Sequence, residues 1–290
     1  MIGVRDIGLT FAGGGNRAFY QLGLMNRWGE RLLPRTAAIA ACSAGACVVL
    51  MYLTGRRHQA RQVFLERTRG LTRNVDLRRR LRGEPIAPHG RIYREILQTL
   101  LAEGGLAAVR ARAFPIHVLA SVFPSRMPPA LAVAAGIAAY QTEKALRPRM
   151  VHPRLGRALG FSPLVVDARQ CESADELVEL VLASSATPPF TPVGRYRGRR
   201  LLDGGMVDNV PAFVADAAPG VRRNLVMLTR PYPASVLGRR GSRLYVAPTE
   251  PVPIERWDYT RPHALEDAVA LGERDADRHW PQVERFLANG

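Results

Sequence analysis

An α/β layered fold is predicted by three observations. Short apolar, β-prone runs alternate with longer helical patterns along the chain. The first two of those runs each pass through small residues directly into a helix-like stretch. The 290 residues are 47% hydrophobic and 23% charged, enough apolar matter for a sizeable core and too much for disorder. No internal repeat or linker interrupts the pattern, so a single domain over 1–290 is expected.

The first strand is expected at Ile7 to Ala12, an apolar run closed by the triplet Gly13-Gly14-Gly15. A helix should begin near Asn16, carry Phe19, Leu22 and Met25 on one face and end before Pro34. Ala37 to Cys42 is the second strand and runs through Ser43-Ala44-Gly45-Ala46 into the apolar stretch Cys47 to Leu53, a buried helix entered by a tight turn. From about 56 to 90 the pattern is charged and interrupted, with Arg69, Arg73, Arg78, Arg79, Arg80 and Arg82 crowded before Pro85 and Pro88; this reads as an exposed, partly helical basic insertion. Phe114 to Phe123 is strand-like, and Pro128 to Leu146 is an alanine-rich helix, alanine having the best helix propensity. Ala174 to Ser184 is again helical. Beyond the Pro188-Pro189 break, strands are expected at Leu225 to Thr229 and Leu244 to Ala247, and a last helix from about Ala264.

Charge and cysteine usage narrow the function classes. Forty-one basic against 25 acidic residues give a formal +16, nearly all of it arginine, since Lys144 is the only lysine. Such a field favours anionic lipid surfaces or nucleic acid, and arginine abundance from GC-rich coding accounts for it equally well. No zinc-finger spacing, RNA-recognition motif or basic-zipper pattern accompanies the charge, so nucleic acid is the weaker partner. Cys42, Cys47 and Cys171 are odd in number and contain no Cys-x-x-Cys pair, so they define neither a disulfide framework nor a zinc site. No run reaches the 18–20 or so apolar residues of a membrane span. The first residues lack the apolar stretch of a cleavable signal, so a cytoplasmic location is expected.

Three short motifs carry chemistry. Gly13-Gly14-Gly15-Asn16-Arg17 offers unobstructed backbone N–H groups between strand and helix, able to cradle a phosphate or an oxyanion. A nucleotide P-loop lacks its Gly-Lys-Ser/Thr here, and a dinucleotide fingerprint fails because Ala18 stands in place of the last glycine. Arg17 falls in the first helical turn, where a cation opposes the macrodipole and needs loop hydrogen bonds or an anionic substrate group to offset it. Ala41-Cys42-Ser43-Ala44-Gly45 places small residues two before and two after a serine, as a strained nucleophile elbow requires; a helix N-cap is the competing reading of Ser43. Asp203-Gly204-Gly205 is by itself a common turn signal.

Together these residues resemble the patatin-like phospholipase family over most of the chain. The resemblance also rests on Ala183-Ser184-Ser185-Ala186-Thr187-Pro188 before Pro192-Val193, and on Leu202 to Pro211 with Asp208 and Asn209. Ala41 replaces the usual first glycine of the elbow, and Ala18 the glycine after the arginine. The resemblance implies a three-layer α/β/α sandwich with a mainly parallel sheet, and acyl-ester hydrolysis, of phospholipase A type, by a serine–aspartate dyad without histidine. Carried over, Ser43 is the nucleophile and Asp203 the base. The oxyanion hole is expected from Gly13, Gly14 and Gly15, with Ala44 assisting, and Arg17 is the substrate-binding residue. No cofactor or metal is expected; the partners are a lipid ester and, through the arginine-rich segments, an anionic membrane surface. Because a free aspartate titrates near 3.9, burial or an aligned hydrogen bond must strengthen Asp203 as a base. The rival enzyme is a Ser-His-Asp α/β-hydrolase or acyltransferase using a histidine such as His263, which follows Asp203 in the chain.

Overall fold

The computed structural model describes residues 4–78, 86–147 and 149–288. Five strands, β1 (Ile7–Phe11), β2 (Thr36–Cys42), β3 (Ile116–Val122), β7 (Arg223–Met227) and β9 (Arg243–Val246), lie parallel in the order β3-β2-β1-β7-β9. The remaining strands are antiparallel additions. They are β4 (Ser162–Asp167) and β6 (Arg199–Asp203) on β3, β5 (Gly194–Tyr196) on β6, and β8 (Gly238–Arg240) on β9.

Every residue of β1 and β2 is buried. Parallel strands covered on both faces read as unbroken apolar runs, which is why these two were legible. Leu9, Phe11, Ile39, Leu225 and Met227 face the larger core, shared with α1 (Phe19–Leu32), α2 (Ala44–Thr54), α6 (Ala174–Ser184) and the C-terminal α7 (Ala264–Ala288). The alternate residues Val226, Leu228 and Tyr245 pack on Val210 and Ala212, and Ala40 packs on Val214 and Ala215. Helices on both faces of a mainly parallel sheet make the three-layer α/β/α arrangement.

The expected insertion contains α3 (Arg57–Thr68), which buries Ala60 and Phe64. α4 (His89–Leu101) follows and buries Ile92, Tyr93, Ile96, Leu97 and Leu100. Arg79, Arg80, Arg82 and Pro85 of the basic cluster lie outside the described residues. α5 (Pro129–Leu146) is the alanine-rich helix. β4 had no signal in the sequence: it carries Pro163 and several exposed residues, which an edge strand tolerates and a central strand does not.

One feature of the sheet positions the chemistry. β4 occupies one edge of β3 from His117 to Val122, so β2, paired along Ile116 to Leu119, and β6, paired along Ala120 to Val122, share the other edge. The two run toward each other. Cys42 of β2 stands opposite Leu119, and Asp203 of β6 stands opposite the next residue, Ala120.

Candidate active site

β2 turns into α2 through Ser43, whose backbone has φ 53° and ψ −131°. A side chain at positive φ is strained by roughly 1–3 kcal/mol, so the surroundings must impose it. They do so through close packing and hydrogen bonds. A Cβ on Gly45 would stand 2.7 Å from the Phe11 carbonyl oxygen and 2.8 Å from that of Ala12, so only glycine lets the turn approach β1. The Ser43 N–H donates to Ser184 Oγ (2.9 Å), and Ser184 Oγ donates to the Leu119 carbonyl (2.6 Å), tying the turn to α6 and β3. Ser43 stands at the N-cap position of α2, yet its side chain makes no capping bond. The hydroxyl is thereby uncommitted to the helix and faces the Asp203 carboxylate.

Asp203 is buried, and burial raises its pKa above the ordinary carboxylate value. The rise is opposed by the Gly205 N–H, which donates to Oδ1 at 2.7 Å, by the Ser43 hydroxyl, by the positive charge of Arg256 and by the Cys42 thiol. The Asp203 N–H donates to the Ala186 carbonyl (2.8 Å) and the Gly204 N–H to that of Ser184 (3.0 Å). The segment 184–186 therefore braces both halves of the site. Asp208, the other carboxylate of this motif, accepts from Val210 N–H (2.9 Å) and contacts His152 Nδ1 (2.8 Å), so it is occupied in holding its loop.

The glycine triplet divides into two functions. The Gly13 N–H donates to the Asn209 carbonyl (2.9 Å), and its own carbonyl accepts from Asn209 Nδ2 (2.8 Å) and Thr229 Oγ1 (2.9 Å). With its N–H engaged, Gly13 is a brace, and the expectation that it donates to an oxyanion is corrected. The N–H groups of Gly14 and Gly15, and that of Ala44 at the start of α2, have no hydrogen-bond partner among the described residues.

The end of this motif grips a loop that no local sequence pattern marks. Residues 254–259, between β9 and α7, cross over the triplet. Asn16 donates its N–H to the Arg256 carbonyl (3.0 Å) and its Nδ2 to the Asp258 carbonyl (2.7 Å). Gly15, at φ +57°, lies so close that a Cβ would stand 2.2 Å from the Arg256 carbonyl oxygen. Arg17 is ion-paired with Glu255. The arginine expected to meet an anionic substrate group is thus committed to a carboxylate of the chain itself, which also offsets its unfavourable place in the helical turn.

This roof presents Arg256 and Trp257 to the site, and Ser43 lies where two cavities meet beneath it. One, of about 30 Å³, is walled by Phe19, Val48, Met51, Ile92, Tyr93 and Trp257. The other, of about 110 Å³, contains Gly14, Gly15, Asp203, Tyr140, Arg256 and Trp257. Trp257 stacks on Phe190 and meets His89 edge-on, with centroids 6.0 and 4.6 Å apart. His89 lines the first cavity, and burial lowers its pKa to about 4, so it is a neutral imidazole near pH 7. Its Nδ1 bonds the Tyr259 hydroxyl. His263, the histidine of the rival triad, is exposed just before α7. Among the described residues no group of His, Cys, Asp and Glu could hold a metal ion, and no helix is long and apolar enough to cross a membrane.

The model of one protein family, described as patatin-like phospholipase, matches residues 9–216. No curated protein matches the chain. Among solved structures, the crystal structure of VipD from Legionella pneumophila is similar at a TM-score of 0.41 and 10% identity, over 96% of this chain and 67% of that one.

Proposed function

The chain belongs to the patatin-like phospholipase family, whose activity is lipid acyl hydrolysis, and on that premise we propose that it cleaves acyl esters of phospholipids, in phospholipase A fashion, with Ser43 as nucleophile and Asp203 as base. One observation carries this reading: a serine held at positive φ, with its hydroxyl unused as a cap, faces a buried carboxylate made more basic by burial.

In the proposed reaction Ser43 Oγ attacks the ester carbonyl as Asp203 takes its proton. The carbonyl oxygen becomes an oxyanion, met by the unpartnered N–H groups of Gly14 and Gly15 and by Ala44 N–H at the positive end of α2. Collapse breaks the ester C–O bond, and the proton on Asp203 passes to the departing alcohol. Water then adds to the acyl-enzyme, giving its proton to Asp203. The second collapse releases the acid and returns the proton to Ser43. The pairing needs no histidine and no cofactor. Because the base must be ionised, turnover should rise with pH through the raised pKa of Asp203.

The apolar wall beside Ser43 suits the first carbons of the acyl chain, and the cavity holding Arg256 suits the alcohol. We further propose a cytoplasmic location with peripheral contact to anionic membranes through the arginine-rich segments. Of the described arginines there, Arg61 and Arg67 are paired with Glu266 and Glu95, while Arg69, Arg73 and Arg78 are exposed. Vesicle binding that vanishes as ionic strength rises from 0.1 to 1 M, where screening shortens from about 10 to about 3 Å, supports that contact.

A fluorophosphonate probe tests the dyad. It should label the wild-type protein, label Asp203→Asn slowly and fail on Ser43→Ala, with a panel of lipid esters following the same order. Labelling of a folded Ser43→Ala protein at the wild-type rate would overturn the assignment.

A further inference from the structure

We infer that Arg256 forms an anion subsite beside Ser43, which takes the phosphate of a glycerophospholipid on the alcohol side of the scissile ester. The inference rests on the acyl-hydrolase reading above but adds a residue beyond the family match, which ends at 216.

The first argument is the way the cation is held. Arg256 is partly buried, its stem lies against Gly15, and its Nη2 donates to the Tyr140 hydroxyl at 3.0 Å. Its guanidinium carbon is 5.7 Å from the centre of the Tyr140 ring. A tyrosine supplies a hydroxyl and a π face but no full negative charge. Among the described residues, no carboxylate forms an ion pair with Arg256 within 4.0 Å; the field of Asp203 reaches it only at longer range. A sheltered guanidinium with several donors and no contacting counter-ion suits an arriving phosphate, which it can engage through two parallel hydrogen bonds.

The second argument is location. Arg256 lines the cavity of Ser43 and Asp203 and also the adjoining cleft, which Arg147 and Arg230 line as well. Glu143, the one carboxylate among the described residues that line the cleft, accepts the N–H groups of Arg154 and Leu155 at 2.9–3.0 Å. The opposite wall of Ser43 is apolar and aromatic. A substrate whose acyl chain enters the apolar side directs its alcohol toward Arg256, so the phosphate of a glycerophospholipid, its phosphorus four or five bonds beyond the ester oxygen, is the part that arginine can read.

Binding in the absence of turnover separates this inference from the dyad. An ether-linked alkylglycerol phosphate and the matching uncharged alkylglycerol, neither hydrolysable, are titrated against Ser43→Ala by calorimetry. The phosphate analogue should bind at least about tenfold tighter, as a charge-assisted bidentate contact allows. The advantage should disappear in Ser43→Ala/Arg256→Gln and persist in part with Arg256→Lys, which keeps the charge without the fork. Equal affinity for the two analogues, or an equal loss for both on removing Arg256, overturns the subsite and leaves the arginine as a counter-charge to Asp203. Inorganic phosphate is the third arm: affinity equal to that of the alkylglycerol phosphate would assign the site to free phosphate and overturn the lipid reading. The dyad stands or falls separately, on probe labelling of Ser43.

Discussion

The floor and the roof of this site are built by opposite means. On the floor, Ser43, Asp203 and the glycines are placed by backbone: strand ends, N–H groups, a positive φ and an approach that excludes any Cβ. In the roof, Glu255 to Tyr259 form no regular element and owe their place to side chains reaching from elsewhere. Asn16 and Arg17 hold the near end, Asn74 accepts the Tyr259 N–H at 2.6 Å, and Asp275 of α7 accepts from Thr249 at 2.7–2.8 Å. The proposed nucleophile and base are thus fixed mainly by backbone, and the surface proposed to read the substrate by side chains that can be exchanged.

That contrast is broken most directly on the floor. Ser43→Ala should lower ester turnover on the order of 10,000-fold, and Asp203→Asn by about 100- to 10,000-fold, with the double variant little worse than the serine variant because the two act as a unit. Additive losses in kcat/KM would show that the two residues do not share a step. Gly45→Ala comes next. Its methyl group would meet two β1 carbonyls, so overpacking should cost about 1–3 kcal/mol, read as a fall in Tm, together with slower labelling of Ser43. An unchanged Tm would mean that the elbow has room to move.

A smaller effect sharpens the cost of the floor. The pKa of Asp203 is higher in the folded protein than in the unfolded chain, so between those two values the native state binds more protons. Stability contributed by this group is complete below the unfolded value near 3.8 and falls as pH rises through the folded value. Asp203→Asn removes that dependence, and its Tm should exceed the wild-type Tm by more at pH 7 than at pH 4. A constant difference across that range would contradict the burial cost. In the roof, the smallest change is expected at Arg17. The Arg17–Glu255 pair is exposed on its glutamate side, so Arg17→Gln should cost less than about 1 kcal/mol, and Asn16→Ala, which strips a buried carbonyl of its donor, about 1–3 kcal/mol. The reverse order in chemical denaturation would make the ion pair the principal clamp.

The same division explains what could be read from the sequence. The strands ending at Phe11 and Cys42 were legible because burial on both faces leaves unbroken apolar runs, and the glycines and Ser43 because strain restricts which residues fit. The core strands at 116–122, 223–227 and 243–246 lie within two residues of the expected bounds. β4 was missed since an edge strand need not alternate. Arg256 and Trp257 were missed because no local pattern marks a loop held from 240 residues away, and the Asn16 bond to Asp258 spans 242 positions. The pairing of Arg17 was missed for the same reason: its partner Glu255 is remote in sequence and carries no motif.

The meeting of β2 and β6 on one edge of β3 makes that strand a ruler for the proposed pair. Each residue of β3 advances about 3.3 Å, and a shift by one turns a side chain to the opposite face. A residue gained or lost within β3 or β6 would carry Asp203 out of reach of Ser43, although every amino acid of both motifs survived. The connection between Val122 and Ser162 bears no such constraint on the pair. Divergence in chains of this architecture should therefore accumulate as length changes in that connection, with the strands counted out residue for residue, and a copy that has slipped its count is a fold without a reaction.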